Sequence, residues 1–172
     1  YASLGANTTA TSNTAIGFSA LDANTTASNN TAVGNNALGA NTTGASNVAV
    51  GAAALDANTT AADNTAVGFS ALGANTTGAD NTAVGKSAGA SLTTGVQNTL
   101  IGSLAGDSLN DADYNVAVGQ DALAVDTLGS RSIAIGRRSL YTQNFTSATD
   151  VYNIAVGFNS GYSITTGTDN TL

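Results

Sequence analysis

The five residues NTAVG at 30–34 decide how this chain folds, because the same string returns at 64–68 and at 81–85. Close variants fill the intervals: NTAIG from 13, NVAVG from 47 and from 115, SIAIG from 132 and NIAVG from 153. Aligned on their glycines, Gly17, Gly34, Gly51, Gly68, Gly85, Gly102, Gly119 and Gly136 stand 17 residues apart, and only the step to Gly157 differs, at 21. A fixed period of this size marks a stack of repeated units in place of one globular core.

Each unit can be numbered from its leading Asn. Position 4 is then always Val or Ile: Ile16, Val33, Val50, Val67, Val84, Ile101, Val118, Ile135 and Val156. These nine branched aliphatics are the expected structural core, each lying over the one in the coil below. Position 3 is Ala except at Leu100, so positions 2 and 4 share one face of a short strand and positions 3 and 5 the other. Position 9 is Leu in six units and Gly in three, Gly89, Gly106 and Gly161. Where it is Gly, position 12 changes from polar to aliphatic, as Leu92, Leu109 and Ile164. The swap keeps one bulky group per coil, as expected if each layer has a fixed volume to fill. Seventeen residues cannot hold a helical repeat, and Thr, Val, Asn and Gly favour strands and turns. The expected fold is all-β: a parallel β-solenoid of about nine 17-residue coils, each with two short strands, running through residues 1–172 as one segment of a longer fibre. An irregular coil with a four-residue insertion is expected at 137–152.

Composition narrows the function. Every one of the 11 acidic residues is Asp, and they face only 4 basic residues for a net charge of -7. Scattered bases in an acidic chain argue against nucleic acid as a partner, since counterion release needs clustered Lys and Arg. No apolar run is long enough for membrane insertion by this segment. His, Cys and Glu are absent, which removes the usual general acids, bases and nucleophiles, so no catalytic residue, cofactor or enzyme activity is expected. Asp107, Asp111 and Asp113 are oxygen donors of the type calcium uses, but they lack the EF-hand's Gly and closing Glu. Asp63 and Asp80 fall at one repeat position in neighbouring coils. Solvated turns are the expected role for all five, with no metal. Two large aliphatics per coil are few against the entropy of fixing 17 residues, so several chains are expected to share the core.

Units of the form Asn-(Thr/Val)-Ala-(Val/Ile)-Gly, followed by a small residue and an Asn/Thr/Gly turn, resemble the head repeats of YadA-like trimeric autotransporter adhesins. Similar repeats occur in bacteriophage tail-fibre proteins. The resemblance covers residues 13–172 and implies a left-handed β-roll, a homotrimer and attachment to a host-surface receptor or glycan from an extracellular, cell-surface or virion position. In two respects the chain departs from the family: its unit of 17 is longer than the commoner ones, and its NTT turns are unusually uniform.

The period fails between Ser132 and Asn153, and that stretch gathers Arg137, Arg138, Tyr141, Phe145 and Tyr152 beside Arg131. Insertions leave a repeat stack as surface loops, and exposed Arg and aromatic side chains anchor recognition, so these five are the expected receptor contacts. The competing expectation is that the aromatics pack over the widened coil or against a partner chain. Two other functions fit the sequence: an ice-binding solenoid using the stacked ANTT tracts at 6, 23, 40, 57 and 74, and a self-assembling extracellular filament.

Overall fold

A computed structural model describes residues 3–172. Nine three-residue strands, one per coil, pair in parallel in a single sheet: β1 (Thr14–Ile16), β2 (Thr31–Val33), β3 (Val48–Val50), β4 (Thr65–Val67), β5 (Thr82–Val84), β6 (Thr99–Ile101), β7 (Val116–Val118), β9 (Ile133–Ile135) and β11 (Ile154–Val156). The register is repeat on repeat, with Val33 opposite Val50 and Val50 opposite Val67. The result is a parallel β-solenoid of about eight turns, with no helix among the described residues. At about 4.8 Å per coil the first and last strands lie about 38 Å apart.

The expected second strand is missing from the coils. The chain turns instead, with left-handed backbone at positions 7, 9 and 17 of nearly every unit; Ser70, Leu72 and Asp80 mark the three corners of one coil, at φ +52°, +49° and +60°. Only the insertion adds a second pair, β8 (Gly129–Ser130) with β10 (Thr149–Asp150).

The branched aliphatics of position 4 align as expected, but they are not the core of the coil. Ile16, Val50, Val84, Ile101, Ile135 and Val156 are exposed on the outer face of the sheet, Val50 by 37%, and Val33, Val67 and Val118 are half-buried there. Ala32, Ala49, Ala66 and Ala83 point inward instead and are fully buried with Leu21, Leu38, Leu55 and Leu72. The reason is volume. Where position 9 is Leu, that side chain fills the layer and only a methyl fits beside it. The exchange of positions 9 and 12 is as expected, because Leu92 and Leu109 join the same buried cluster as the Leu residues they replace.

Asparagine does what a larger apolar core would otherwise do. The backbone N–H of Asn30 donates to Asn13 Oδ1 at 2.8 Å, and the Asn30 side-chain amide donates to the Gly44 carbonyl at 2.9 Å. The same pair of bonds recurs at Asn47, Asn64, Asn81, Asn98 and Asn115, tying each coil to its neighbour and its own start to its end. A second ladder runs through Asn24, Asn41, Asn58 and Asn75, in which the side-chain amides of Asn41, Asn58 and Asn75 each donate to the Oδ1 of the Asn before. Buried and bonded amides of this kind stabilise a stack, since a buried polar group left unpaired costs about 1–3 kcal/mol.

Candidate functional site

The widened coil begins with an interruption of the first Asn ladder. Ser132 replaces Asn, and its hydroxyl is too short to reach the next coil. Gln143 fills the gap: its Nε2 donates to Ser132 Oγ at 3.0 Å and to Asp126 Oδ2 at 2.7 Å, and its Oε1 accepts from Asn153 Nδ2 at 2.8 Å. Asp126 is fully buried and also accepts from the backbone N–H groups of Gly129 and Phe145 on Oδ1, at 3.2 and 2.9 Å. A buried carboxylate with donors on both oxygens is satisfied without a cation. Sequence reading missed this network, although Ser132 at an Asn position was its visible signal.

The extra residues leave the stack at Thr146, Ser147 and Ala148, all exposed, between Phe145 and β10. Phe145 itself turns inward at 8% exposure and packs the widened coil with the buried Val151, so it is no surface contact of this chain. The packing alternative holds for that residue because the extra chain opens a volume that an aromatic ring fills.

The other four expected contacts lie on two sides of the coil. Tyr152 stands exposed at a left-handed corner, one coil on from Arg131, and its hydroxyl donates to Asp150 Oδ2 at 3.5 Å. Arg131 Nε donates to Asp150 Oδ1 at 2.8 Å, and its guanidinium lies 4.6 Å from the centroid of the Tyr114 ring. That hydrogen bond with Asp150 holds the Arg131 pKa above its ordinary value. Beyond the Gly136 bend, Arg138 pairs with Asp121 at 3.4 Å and sits 5.5 Å from the Tyr141 ring, which stacks on Tyr162 with centroids 5.3 Å apart. Arg137 is exposed; its Nε donates to Gln120 Oε1 at 3.4 Å, and its guanidinium lies 5.7 Å from the Phe158 ring.

Asp107, Asp111 and Asp113 do not converge. Asp111 accepts from Thr94 Oγ1 at 2.6 Å and Asp113 from the Val96 N–H at 2.8 Å, two separate bonds across the same junction between coils. Burial raises the Asp107 pKa, and the nearby Asp121 carboxylate raises it further against backbone hydrogen bonds that lower it. Among the described residues no group of three or more His, Cys, Asp or Glu is gathered to hold a metal ion, and no helix is long and apolar enough to cross a membrane. Asp63 and Asp80 occupy exposed left-handed corners.

In the ANTT tracts at 23, 40, 57 and 74 the Asn is buried and the first hydroxyl is used internally: Thr42 Oγ1 donates to the Thr59 carbonyl at 3.0 Å and Thr76 Oγ1 to the Thr93 carbonyl at 3.1 Å. One exposed column remains, Thr26, Thr43, Thr60 and Thr77. No family model, curated protein or solved structure matches this chain.

Proposed function

We propose that the chain is a non-enzymatic structural and adhesive segment of a surface fibre, in which three copies wind left-handed coils about one axis. The widened coil, with Arg137, Arg138, Tyr141 and Tyr152, is then the contact for a host receptor or glycan. The observation that carries this reading is the outer face of the nine-stranded sheet. Its column of Val and Ile at position 4, flanked by Thr, Val and Ile at position 2, is apolar, unbroken along the sheet and open in the single chain. A continuous exposed apolar stripe of this kind marks an interaction surface, and copies of the same chain present the same stripe in the same repeat. An extracellular, cell-surface or virion location follows from an attachment role.

Light scattering on the purified chain tests the assembly. The expected mass is three times that of the 16.7 kDa chain. Val50→Asp with Val84→Asp, which places charge on the shared face, should reduce it to one. A single-chain mass for the unaltered protein at micromolar concentration would end the trimeric reading.

A further inference from the structure

We propose that one edge of the solenoid, the column at position 6 of the repeat, binds a linear polysaccharide carrying carboxylates at intervals, laid along the stacking direction. The proposal rests on the attachment reading and names its ligand. Phe69, Lys86, Ser103, Gln120, Arg137 and Phe158 occupy this position in six consecutive coils, just beyond the glycine bend that ends each strand. Their carbonyls are aligned by one ladder: Ser87 N–H donates to Phe69 at 2.8 Å, Leu104 to Lys86 at 3.0 Å, Asp121 to Ser103 at 3.1 Å, Arg138 to Gln120 at 3.0 Å and Asn159 to Arg137 at 3.0 Å. The side chains therefore project from one edge, about 4.8 Å apart. Phe69 is 57% and Phe158 67% exposed, and Lys86, Gln120 and Arg137 are exposed beside them.

Charge selects the ligand. The chain has only four basic residues, and two are taken up in ion pairs, Arg131 with Asp150 and Arg138 with Asp121. Among the described residues Lys86 and Arg137 make no ion pair, and both fall in this column. None of the 11 Asp occupies position 6 in any coil. Each of the two cations has a Phe in the adjoining coil: Phe69 precedes Lys86, and Phe158 follows Arg137. The edge thus reads aromatic, cation, polar, polar, cation, aromatic, over about 24 Å with the cations about 14 Å apart.

Each element of that pattern matches one element of an alternating acidic glycan. Ring faces stack on the C–H faces of neutral sugars, guanidinium and ammonium pair with spaced carboxylates, and the amide and hydroxyl between them bond sugar hydroxyls. A densely sulfated chain fits less well, because two cations outside ion pairs cannot balance it on a chain of net charge -7. A peptide strand finds no row of open carbonyls to pair with, since those of Phe69, Lys86, Ser103, Gln120 and Arg137 already accept from the next coil.

Calorimetric titration of the full chain with hyaluronate oligosaccharides tests the edge, with neutral dextran and poly-aspartate as comparison ligands. Hyaluronate should bind, dextran and poly-aspartate should not, and Lys86→Gln with Arg137→Gln should weaken binding about tenfold or more while flattening its salt dependence. Phe69→Ala with Phe158→Ala should weaken it comparably and leave the salt dependence in place. Arg131→Gln, on another edge, should stay within about twofold of the unaltered chain. All variants should keep the unaltered melting temperature and mass, which assigns the losses to contact. The proposal is overturned if the unaltered chain ignores hyaluronate, if poly-aspartate binds equally well, or if Arg131→Gln loses as much as the edge variants. A single-chain mass with hyaluronate binding intact would sink the trimer and leave the edge standing.

Discussion

The glycine of each unit shows how little room the stack leaves. A Cβ on Gly85, at φ +139°, would lie 2.5 Å from the Gly102 carbonyl oxygen and 2.6 Å from its carbon, which is backbone that cannot swing away. Gly157 shares the conformation, yet its nearest neighbour would be Ser160 Cβ at 3.8 Å. Gly85→Ala should therefore cost more than about 3 kcal/mol, summing strain and overlap, against about 1–3 kcal/mol for Gly157→Ala, where only the φ is strained. Thermal unfolding of the two variants separates these contributions. Asp107 gives the residue scale a pH dependence. Its pKa is raised in the folded chain, so its ionisation opposes folding; the stability it withholds is regained as pH falls through the raised value to the ordinary 3.8. Asp107→Asn should stabilise the fold slightly at pH 7, by about 0.5 kcal/mol or less, seen as a small rise in melting temperature that vanishes below about pH 3.8.

Within a coil the governing quantity is interior volume. Position 9 needs left-handed backbone, and Leu72 at φ +49° accepts that strain because its side chain fills the layer. Gly89 and Gly106 relieve the strain in consecutive coils and leave space between them, which is where Leu100 replaces the usual Ala. A Cβ on Gly89 would meet Leu100 Cδ1 at 2.7 Å, and one on Gly106 would meet Leu100 Cδ2 at 2.8 Å. Leu172, also at position 3, lies in the same relation to Gly161. Leu100→Ala should open a cavity and cost about 2–5 kcal/mol, measured by denaturant unfolding. The second Asn ladder obeys a related rule, since Asn75 Oδ1 is buried without a donor because Leu92 stands where the next Asn would. At the insertion, Asp126→Ala should cost about 3 kcal/mol or more, because the N–H groups of Gly129, Phe145 and Gln143 lose their shared acceptor. Hydrogen exchange should show the loss centred on the widened coil, as each coil contacts only its neighbours.

For the molecule as a whole, the accessible surface of 6848 Å² is close to, and below, the roughly 7,600 Å² typical of a monomer of this mass. A single chain therefore buries its surface about as well as an ordinary domain, through amide ladders and alanine rather than bulky side chains. The case for partners rests on where the remaining apolar groups are: aligned on one face, not dispersed. If that face is shared between copies, the melting temperature should rise with protein concentration, and Val84→Asp should abolish the dependence; a flat response over a hundredfold dilution (about 2.7 kcal/mol of mass action) would contradict the shared face.

The sequence by itself determined the period, the parallel stacking in register, the bend after each strand and the exchange between positions 9 and 12, because each is a one-dimensional regularity that a repeated unit must satisfy. The even alternation of Thr, Ala and Val told that the strand has two unlike faces. Which face turned inward depended on tertiary structure: the Leu of the opposite wall leaves room for Ala32 and not for Val33. Tertiary structure also reduced two expected strands per coil to one, buried Phe145, separated Arg131 and Tyr152 from Arg138 and Tyr141, and collected Phe69, Lys86, Arg137 and Phe158 on one edge. Residues 17 or more apart become neighbours only through stacking, and what a side chain faces is set by the volume its neighbours leave.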